Sequence, residues 1–506
     1  MLFPTVNFVI FFVIIFILYW YAFRSENERK VLLVVASYVF YCFWSWKFAV
    51  MMLVMSVANF MFGYAIGIQK NYAPRKFMLV VFTVINILYL CFFKYTYDFI
   101  SLLQGFFPDV LSSNTALINM QTLTVLIPFG ISYYMFKCMS YVFDVYLCKM
   151  NYRKSLFDVL LYVSFFPQVS SGPIVHAHKF FSDFSESLTR DKISPRTAIP
   201  LDRALLLILS GLFKKVIIAT FLSILVTNKV LATPSIYNAG ELIFGLIAYS
   251  IVIYCDFSGY SDMAIGIAML LGFNTEKNFN RPYISSSVSE FWRRWHISFS
   301  SWLRDYVYFA MGGSRFGITK AVFALIATMI IAGFWHGAKL TFLVWGAMQG
   351  IALAFERIVK YMVEYNREKI QETKMQADLN STYEEFVNPT KKTIPAWLKI
   401  IKILGVFIFV NLSWLVFQAQ SLGDVLHYIK GLGNFSSSFK LINPFTGIVL
   451  AVGLLLQLPT EKMRSKLFSF YTAIPFPVKA MGLGVFFVAI MVMATSGVPR
   501  FIYFQF

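Results

Sequence analysis

The sequence predicts an all-α polytopic membrane protein, a helical bundle with about 10 to 13 transmembrane helices. Of its 506 residues, 58% are hydrophobic and only 14% are charged, whereas soluble domains carry about a quarter charged residues. Aromatic residues make up 19%, which is typical of a protein that faces lipid and headgroups. Lys and Arg in cytoplasmic loops explain the net charge of +19, so nucleic acid is not an expected partner. Five scattered cysteines indicate no disulfide framework.

The first apolar run, residues 5–23, is long enough to cross about 30 Å of hydrocarbon. No Lys or Arg precedes it and no small-residue cleavage site follows it, which favours a transmembrane helix over a signal peptide. Arg24, Arg29 and Lys30 come next, so we expect the N-terminus outside. The range of the helix count arises because some later runs are too short to cross and others are long enough for two helices. These runs are residues 31–46, 48–69, 77–93, 123–136, 159–175, 204–226, 242–273, 321–355, 403–417, 445–458 and 478–497.

Two sequences interrupt the apolar runs, Ile127-Pro128-Phe129-Gly130 and Gly172-Pro173. At membrane depth, broken helices persist only where protein or a water-filled cavity surrounds them. The sequence therefore predicts a bundle that includes re-entrant or interfacial helices.

Residues 364–392 are dense in Glu, Lys, Arg, Gln and Asn and predict a charged cytoplasmic loop that is in part helical. This loop joins the apolar core to C-terminal helices and an aromatic tail within residues 397–506. We find no internal repeat of the kind common in secondary transporters, and we predict one polytopic domain over residues 1–506.

His336 is the most informative polar residue within an apolar run. A titratable group at such depth is costly and is a functional candidate. Gly333 and Gly337 lie on either side of it and allow a backbone or a ligand to approach the imidazole. The alternative is a structural histidine that is hydrogen-bonded to a neighbouring helix.

The stretch from Phe291 to Gly313 combines aromatic and charged residues. At 3.6 residues per turn, one side of a helix collects Trp292, Trp295, His296, Phe299 and Trp302. The charged residues are Arg293, Arg294, Arg304 and Asp305. Because these charges cannot face bare lipid, the stretch predicts an interfacial or re-entrant helix pair. The alternative is an aromatic belt with snorkelling arginines.

Asp256 and Asp262 lie within another apolar block. Buried carboxylates need cationic partners, and Arg281, Arg293 and Arg304 are the candidates. We interpret these pairs as scaffolding first.

Lys214 and Lys215 interrupt a further apolar run. Snorkelling to the interface is the favoured interpretation, and contact with cofactor phosphates is the alternative. Gln168 lies in a polar, glycine-bearing break of the kind that lines a cavity. The sequence contains no His-Glu-x-x-His, Cys-x-x-Cys or phosphate-binding glycine loop, so we expect no metal site and no nucleotide hydrolysis.

Several motifs keep a fixed order from about residue 130 to about residue 350. They are Phe166-Pro-Gln with Gly172-Pro-Ile174, Gly211-Leu-Phe-Lys-Lys215, Tyr260-Ser-Asp-Met-Ala-Ile-Gly266, the run from Asn278 through Arg281-Pro-Tyr283 to Gly312-Gly313, and Phe334-Trp-His-Gly337. In this combination the sequence resembles the membrane-bound O-acyltransferase family, in particular its bacterial alginate and peptidoglycan O-acetyltransferase group. Lys137, Ser170-Ser171 and Phe417-Gln418-Ala419 depart from the family's pattern, which bears on donor fit and acceptor choice.

The resemblance implies a funnelled bundle whose narrow tunnel lets a cytoplasmic acyl donor meet an acceptor outside. It implies that His336 is the catalytic histidine and His296 its companion. The implied donor is acetyl-CoA, which binds as a substrate rather than as a permanent cofactor, with Lys214 and Lys215 as candidates for its phosphates. We expect the substrate path to be lined by Trp292, Trp295, Trp335, Arg293, Arg304, Asp305, Asp262 and Gln168.

The implied reaction is O-acetylation of an exported polysaccharide, similar to peptidoglycan or alginate, at the bacterial inner membrane. The acceptor is either the polysaccharide itself or an extracytoplasmic SGNH-type transferase that acts as a partner. D-alanyl or other acyl transfer from a carrier protein to a cell-wall polymer is a second interpretation. A transporter or flippase without chemistry is the interpretation from another class.

The chemistry also suits the residues independently of the resemblance. A thioester is already activated, so acyl transfer needs a hydroxyl that loses its proton as it attacks. Burial keeps an imidazole neutral and therefore available as the base.

The C-terminal tail, Phe501-Ile-Tyr-Phe-Gln-Phe506, supports a separate hypothesis. It resembles the C-terminal aromatic motif of the small partner protein of the D-alanylation system, whose tyrosine is thought to carry the acyl group. By this resemblance Tyr503 accepts acetyl and passes it to the extracytoplasmic transferase. The alternative is an interfacial anchor made of aromatic residues.

Under the relay hypothesis, Tyr503→Phe is expected to abolish acetylation of the exported polymer, because the variant keeps the aromatic anchor and lacks the nucleophilic hydroxyl. The measurement is acetate released by alkali from polymer extracted from cells that carry the variant. Phe506→Leu serves as the control, since it changes the anchor and leaves the hydroxyl in place. Full acetylation by Tyr503→Phe would eliminate the relay.

Overall fold

A computed structural model describes residues 3–106, 128–170, 172–189, 199–377, 395–436 and 439–493 of the chain. Every regular element within these ranges is a helix, which confirms the predicted all-α class. Tyr503 and the aromatic tail lie outside the described residues.

Among the described residues, ten α-helices precede the stretch that carries His296. In chain order they are α1 (Val6–Ala22), α2 (Glu26–Cys42), α3 (Trp46–Ile68), α4 (Tyr72–Phe106), α5 (Ile131–Tyr146), α6 (Leu156–Ser164), α7 (Phe166–Val169), α8 (Ala177–Thr189), α9 (Leu201–Ala232) and α10 (Ala239–Leu270).

Nine further α-helices follow in the described part of the chain. They are α11 (Val288–Arg294), α12 (Ile297–Leu303), α13 (Ile318–His336), α14 (Leu340–Ala377), α15 (Ala396–Gln418), α16 (Leu422–Gly431), α17 (Pro444–Leu455), α18 (Glu461–Ala473) and α19 (Phe476–Met493).

Among the described residues, seven helices are long and apolar enough to cross a membrane, which makes the chain a multi-pass membrane protein. They are α3, α4, α9, α10, α13, α14 and α15, and the bent pair α18–α19 is a further candidate. The sequence predicted about 10 to 13 crossings, and the difference lies in the shorter apolar runs. Residues 159–175, for example, are divided between α6, α7 and a non-helical stretch.

The helices form two compact units. The first contains Met1–Lys229, Ala248–Asn278 and Lys440–Phe506, and the second contains Val230–Ile247 and Phe279–Phe439. Both candidate histidines belong to the second unit.

Both predicted helix breaks are present in the first unit. Gly130 precedes α5 with a φ of +66°, and a Cβ at this position would lie 2.4 Å from the carbonyl oxygen of Val169. Glycine is therefore required there, for its backbone conformation and for the close approach. The described residues between α7 and α8, which include Gly172 and Pro173, are non-helical.

Close backbone contact joins α13 to α14 in the second unit. A Cβ added at Gly333 would lie 2.2 Å from the carbonyl oxygen of Phe342, and one added at Gly346 would lie 2.4 Å from that of Met329. Small residues allow this approach between membrane helices, and the van der Waals contact that results stabilises the pair.

The charged segment predicted at residues 364–392 begins as a helix. α14 continues through it to Ala377, and its residues from Lys360 to Ile370 are exposed. The prediction that part of the segment is helical is confirmed, and residues 378–394 lie outside the described residues.

We expect Gly346→Ala to lower the thermal unfolding midpoint of the purified protein, because the new methyl group forces α13 and α14 apart. Overpacking of this kind costs about 1 to 3 kcal/mol. Gly405→Ala is the matched control, since Gly405 lies within the membrane helix α15 and has open space around its Cβ position. Equal midpoints for the two variants would contradict the contact.

Candidate functional site

His336 is the last residue of α13 and is buried, with 4% of its surface exposed. Aromatic rings surround its imidazole. The ring centroids lie 4.6 Å away for Trp335, 4.8 Å for Phe417, 5.4 Å for Trp345 and 5.9 Å for Phe342. The imidazole therefore occupies an apolar enclosure at the end of a membrane-crossing helix.

The turn after His336 holds it at this position. Gly337 is extended and ends α13, and its N–H donates to the carbonyl oxygen of Phe334 over 3.1 Å. A Cβ at Gly337 would lie 2.9 Å from the ring of Phe342. The carbonyl groups at the C-terminus of α13 give this end of the helix a partial negative charge.

His296 lies at a break between two short helices. α11 ends at Arg294 and α12 begins at Ile297, and His296 between them has φ +40° and ψ +56°. This left-handed conformation is uncommon for a residue with a side chain. The predicted helix pair is present. The break at His296 interrupts the helical spacing that was expected to place Trp292, Trp295, His296, Phe299 and Trp302 on one side, although all five residues are buried.

The environment of His296 keeps its imidazole neutral. Only 2% of its surface is exposed, and this burial lowers the pKa of His296 to about 3. A strained backbone conformation of this kind costs about 1 to 3 kcal/mol and persists only where neighbouring structure holds it. Such outliers cluster at functional sites.

Two rings connect the candidate histidines. The imidazole of His296 lies 5.1 Å from the ring of Phe299, which lies 4.6 Å from Trp335, the neighbour of His336. The structure therefore brings both histidines into one aromatic cluster, with Phe299 and Trp335 between them.

A carboxylate from α14 holds the beginning of α11. The backbone N–H groups of Val288 and Ser289 both donate to Glu356, the second over 2.9 Å, and the Ser289 hydroxyl donates to it over 2.7 Å. A negative charge at a helix N-terminus also interacts favourably with the helix dipole. Sequence reasoning missed Glu356, whose only signal is a carboxylate at the edge of the apolar run 321–355.

The other end of α11 is held by its own arginine and by the preceding loop. Arg294 pairs with Glu290 over 2.6 Å, and its carbonyl oxygen accepts from the N–H of Asn280 over 2.9 Å. Both ends of α11 are therefore fixed, which supports the strained backbone at His296.

A buried polar link joins three helices next to the cluster. The indole N–H of Trp292 donates to Gln349 Oε1 over 3.1 Å, and Gln349 Nε2 donates to Ser413 Oγ over 2.9 Å. Sequence reasoning predicted a role for Trp292 and missed Gln349. The available signal was an amide inside an apolar run, where an unpaired polar group is costly.

Further rings of the cluster come from α14 and α15. Trp345 and Trp414 stack with centroids 6.0 Å apart, and Trp295 lies 5.0 Å from Trp414. Trp345, Trp414 and Phe417 were missed, although Phe417 belongs to a motif that departs from the family's pattern. An aromatic residue in an apolar helix gives no signal of its own, because most such residues face lipid or core.

The charged residues predicted beside the cluster lie at the surface of the second unit. Arg293 and Arg304 are exposed. Arg304 donates two hydrogen bonds to the Asp305 carboxylate, over 2.8 and 3.2 Å, and this hydrogen bonding raises the pKa of Arg304. A role for these three residues in the substrate path stays a prediction.

The first unit gives Asp256 and Asp262 partners other than the predicted arginines. Lys215 Nζ pairs with Asp256 and Lys214 Nζ pairs with Asp262, and both lysines are buried. These lysine partners were not among the candidates from the sequence, and the expected snorkelling of the lysines is wrong because both are buried. The contacting helices α9 and α10 place these charges opposite each other, and pairing offsets the cost of their burial.

Gln168 is buried within α7, and its Oε1 atom has no hydrogen-bond partner among the described residues. Its predicted place on a substrate path stays a prediction. Among all the residues that the structure describes, no group of three or more His, Cys, Asp or Glu side chains is arranged to hold a metal ion.

The cluster in the second unit provides a defined set of chemical functions. A buried imidazole can take a proton from a hydroxyl. In surroundings of low polarity, the hydrogen bond between the hydroxyl and the imidazole nitrogen is stronger than in water. The four rings close to the imidazole reduce the space for water, which would otherwise compete as a nucleophile.

Comparison with known proteins places these residues in context. A sequence profile described as "MBOAT, membrane-bound O-acyltransferase family" matches residues 46–374, a range that contains both histidines.

Relatives of known name extend this comparison. The chain is 37% identical to the probable alginate O-acetylase AlgI of Pseudomonas syringae pv. tomato, with 71% of this chain and 67% of the relative covered. It is 31% identical to the peptidoglycan O-acetyltransferase of Helicobacter pylori, with 82% and 76% covered. It is 27% identical to the teichoic acid D-alanyltransferase of Bacillus subtilis, with 44% and 57% covered.

The environment of His296 predicts an acid-sensitive contribution to stability. The unfolded chain binds a proton at this imidazole below pH about 6.5, whereas the folded chain does not do so until pH about 3. His296 therefore contributes a loss of about 1.4 kcal/mol of unfolding free energy per pH unit as the pH falls through this window.

We expect His296→Asn to reduce this acid sensitivity, because Asn does not titrate and tolerates a left-handed backbone. The measurement is the thermal unfolding midpoint of the purified protein between about pH 7 and about pH 4. His427→Asn should keep the native pH profile, since His427 is exposed on α16. An unchanged profile for His296→Asn would show that this imidazole is not buried in its neutral form.

Proposed function

Since the chain belongs to the membrane-bound O-acyltransferase family, and is therefore an acyltransferase, we propose that it moves acetyl from cytoplasmic acetyl-CoA across the bacterial inner membrane for O-acetylation of an exported polysaccharide. The observation that carries the proposal is the buried imidazole of His336, enclosed by aromatic rings at the end of a membrane-crossing helix. His336 acts as the general base.

The proposed step starts when His336 accepts the proton of the acceptor hydroxyl. As the proton leaves, the hydroxyl oxygen forms a bond to the carbonyl carbon of the thioester. The carbon–sulfur bond then breaks, and the sulfur takes the proton from the imidazolium. The products are an O-acetyl ester and the free CoA thiol, and the imidazole is neutral again.

The position of His336 supports both proton transfers. The C-terminal end of α13 favours the imidazolium that forms between them. General base catalysis supplies a rate increase of about 10²–10⁴-fold, and alignment of the two substrates adds to it. The surrounding rings disfavour water, which protects the thioester from hydrolysis.

His296 has a supporting role in this proposal. Its imidazole stays neutral and lies in the same aromatic cluster, two rings from His336. Trp292, Trp295 and Trp335 belong to that cluster, which supports their place beside the acyl group. Lys214 and Lys215 are already paired with carboxylates, so the proposal does not assign them the CoA phosphates.

The names of the relatives support an exported polysaccharide as the final acceptor. One relative is named for alginate and another for peptidoglycan, so we propose a polymer of this kind without choosing between them. Acetyl reaches it either directly or through an extracytoplasmic SGNH-type transferase. Tyr503 is the proposed relay to such a partner.

D-alanyl transfer is the second candidate function. The observation that favours it is the similarity to a teichoic acid D-alanyltransferase, which covers less than half of this chain. The two candidates differ in the donor. Purified protein given radiolabelled acetyl-CoA or a radiolabelled D-alanyl carrier protein in parallel should release label from the acetyl donor alone.

We expect His336→Ala to lower acyl transfer by about 10²-fold or more, because the hydroxyl then has no base in the enclosure. The measurement is acetate released by alkali from polymer extracted from cells in which the variant replaces the native chain, together with CoA release by the purified protein. His427→Ala should retain native activity, since His427 is exposed on another helix of the same unit.

The thermal unfolding midpoint of His336→Ala should stay near that of the native protein, which separates loss of chemistry from loss of folding. Native activity in a well-folded His336→Ala variant would contradict the assignment of the base.

A further inference from the structure

α18 carries an apolar stripe that no described residue covers. Met463, Leu467 and Phe470 lie on one side at helical spacing and are 50%, 61% and 70% exposed. None of the residues of α18 is buried. The opposite side carries Glu461, Ser465, Ser469 and Thr472, with the less exposed Phe468 beside them. The helix is therefore amphipathic, with its apolar side turned away from the protein.

The length and direction of α18 exclude a crossing of its own. Its 13 residues extend about 20 Å, which is shorter than the hydrocarbon core of about 30 Å. The helix axis changes direction by 111° between α18 and α19. α19 presents Met481, Val485 and Val488 with about two thirds of their surface exposed, as lipid-facing residues do. If α19 runs along the membrane normal, α18 lies close to the membrane plane.

Ion pairs connect α18 and the start of α19 to other parts of the first unit. Lys277 donates to Glu461 over 2.9 Å, and Lys479 donates to Asp202 at the start of α9 over 3.1 Å. The bend is therefore held at both of its arms. These charged groups belong at the level of the headgroups, where water and phosphates solvate them.

Basic side chains border the apolar stripe. Lys462 and Lys466 lie one turn apart along its edge and are exposed, and neither has an acidic partner among the described residues. Arg464 adds a third positive charge near Glu461. An apolar face bordered by lysines is the pattern of helices that lie in the interface of a membrane with anionic lipids.

We propose that α18 is an interfacial helix that binds the anionic phospholipid surface of the cytoplasmic leaflet. Its apolar stripe enters the boundary between headgroups and acyl chains, and Lys462 and Lys466 contact lipid phosphates. The positive charge of this segment assigns it to the cytoplasmic side. This inference does not depend on the chemistry at His336.

The first experiment measures the depth of two positions on opposite sides of α18. The full chain, with Cys42, Cys91 and Cys148 replaced by serine, receives either Leu467→Cys or Ser465→Cys and an NBD label. Each protein is reconstituted into nanodiscs of phosphatidylcholine and phosphatidylglycerol that contain lipids with a nitroxide near the headgroup or deep in the chain.

We expect the label at position 467 to emit at shorter wavelength and to be quenched several-fold more by the shallow nitroxide than the label at position 465. A label at position 467 that emits as in water would overturn the proposal and indicate a protein partner for this face. Stronger quenching by the deep nitroxide would overturn it in favour of a crossing.

The second experiment tests the charge. In the labelled protein that keeps Lys462 and Lys466, replacing phosphatidylglycerol by phosphatidylcholine should reduce quenching of the label at position 467 by the shallow nitroxide. The double variant K462E/K466E should show weak quenching in both lipids. R367E/K369E, with the same charge change on the exposed part of α14, should keep the native response. Equal lipid dependence in both double variants would overturn the role of the lysines.

Discussion

The backbone contact between α13 and α14 is the constraint on which the candidate site depends. Gly333 and Gly346 bring the two helices together without side chains between them, and one face of α14 then organises the site. Trp345, Gln349 and Glu356 recur on this face at helical spacing, and they contact the His336 ring, the Trp292 indole and the start of α11 respectively. Any change in the helix separation would therefore move His336 relative to all three contacts at once.

Glycines also allow close contact between two helices in the first unit, where the contact brings opposite charges together. Gly211 and Gly259 let α9 and α10 approach until a Cβ at Gly211 would lie 2.4 Å from the carbonyl oxygen of Gly259. This approach places the consecutive lysines of α9 against Asp256 and Asp262 of α10. In a membrane protein, buried charges are tolerated when they pair with opposite charges within the protein. Close contact between the two helices makes this pairing possible. The pairs stabilise the scaffold, whereas the aromatic cluster of the second unit surrounds two buried imidazoles.

Local sequence patterns predicted the helices and their breaks, but they did not predict which residues of distant segments pair with one another. The apolar runs predicted most helices, the prolines and glycines predicted the breaks at Gly130 and Gly172, and a histidine at membrane depth predicted the candidate base. The partners of Asp256 and Asp262 could not be predicted, because an apolar period tells which side of a helix is buried but not which helix covers it. The left-handed backbone at His296 was not predicted either, because the helical spacing of the surrounding residues does not indicate where a helix ends. Glu356 was missed for a related reason: its partners in α11 lie 67 and 68 residues away in the sequence.

The two histidines are both buried in the aromatic cluster, but they lie at opposite kinds of helix end. His336 ends a helix, where the carbonyl groups favour a positive charge on its ring. His296 precedes the first turn of α12, where the N–H groups disfavour such a charge, and its burial lowers the pKa of His296 in the same direction. When the environments of two titratable groups differ in this way, the group that tolerates the charge is the one suited to carry the proton. This difference supports the proposal that His336 is the base of the pair, with His296 a neutral residue whose strained backbone serves its position rather than proton transfer.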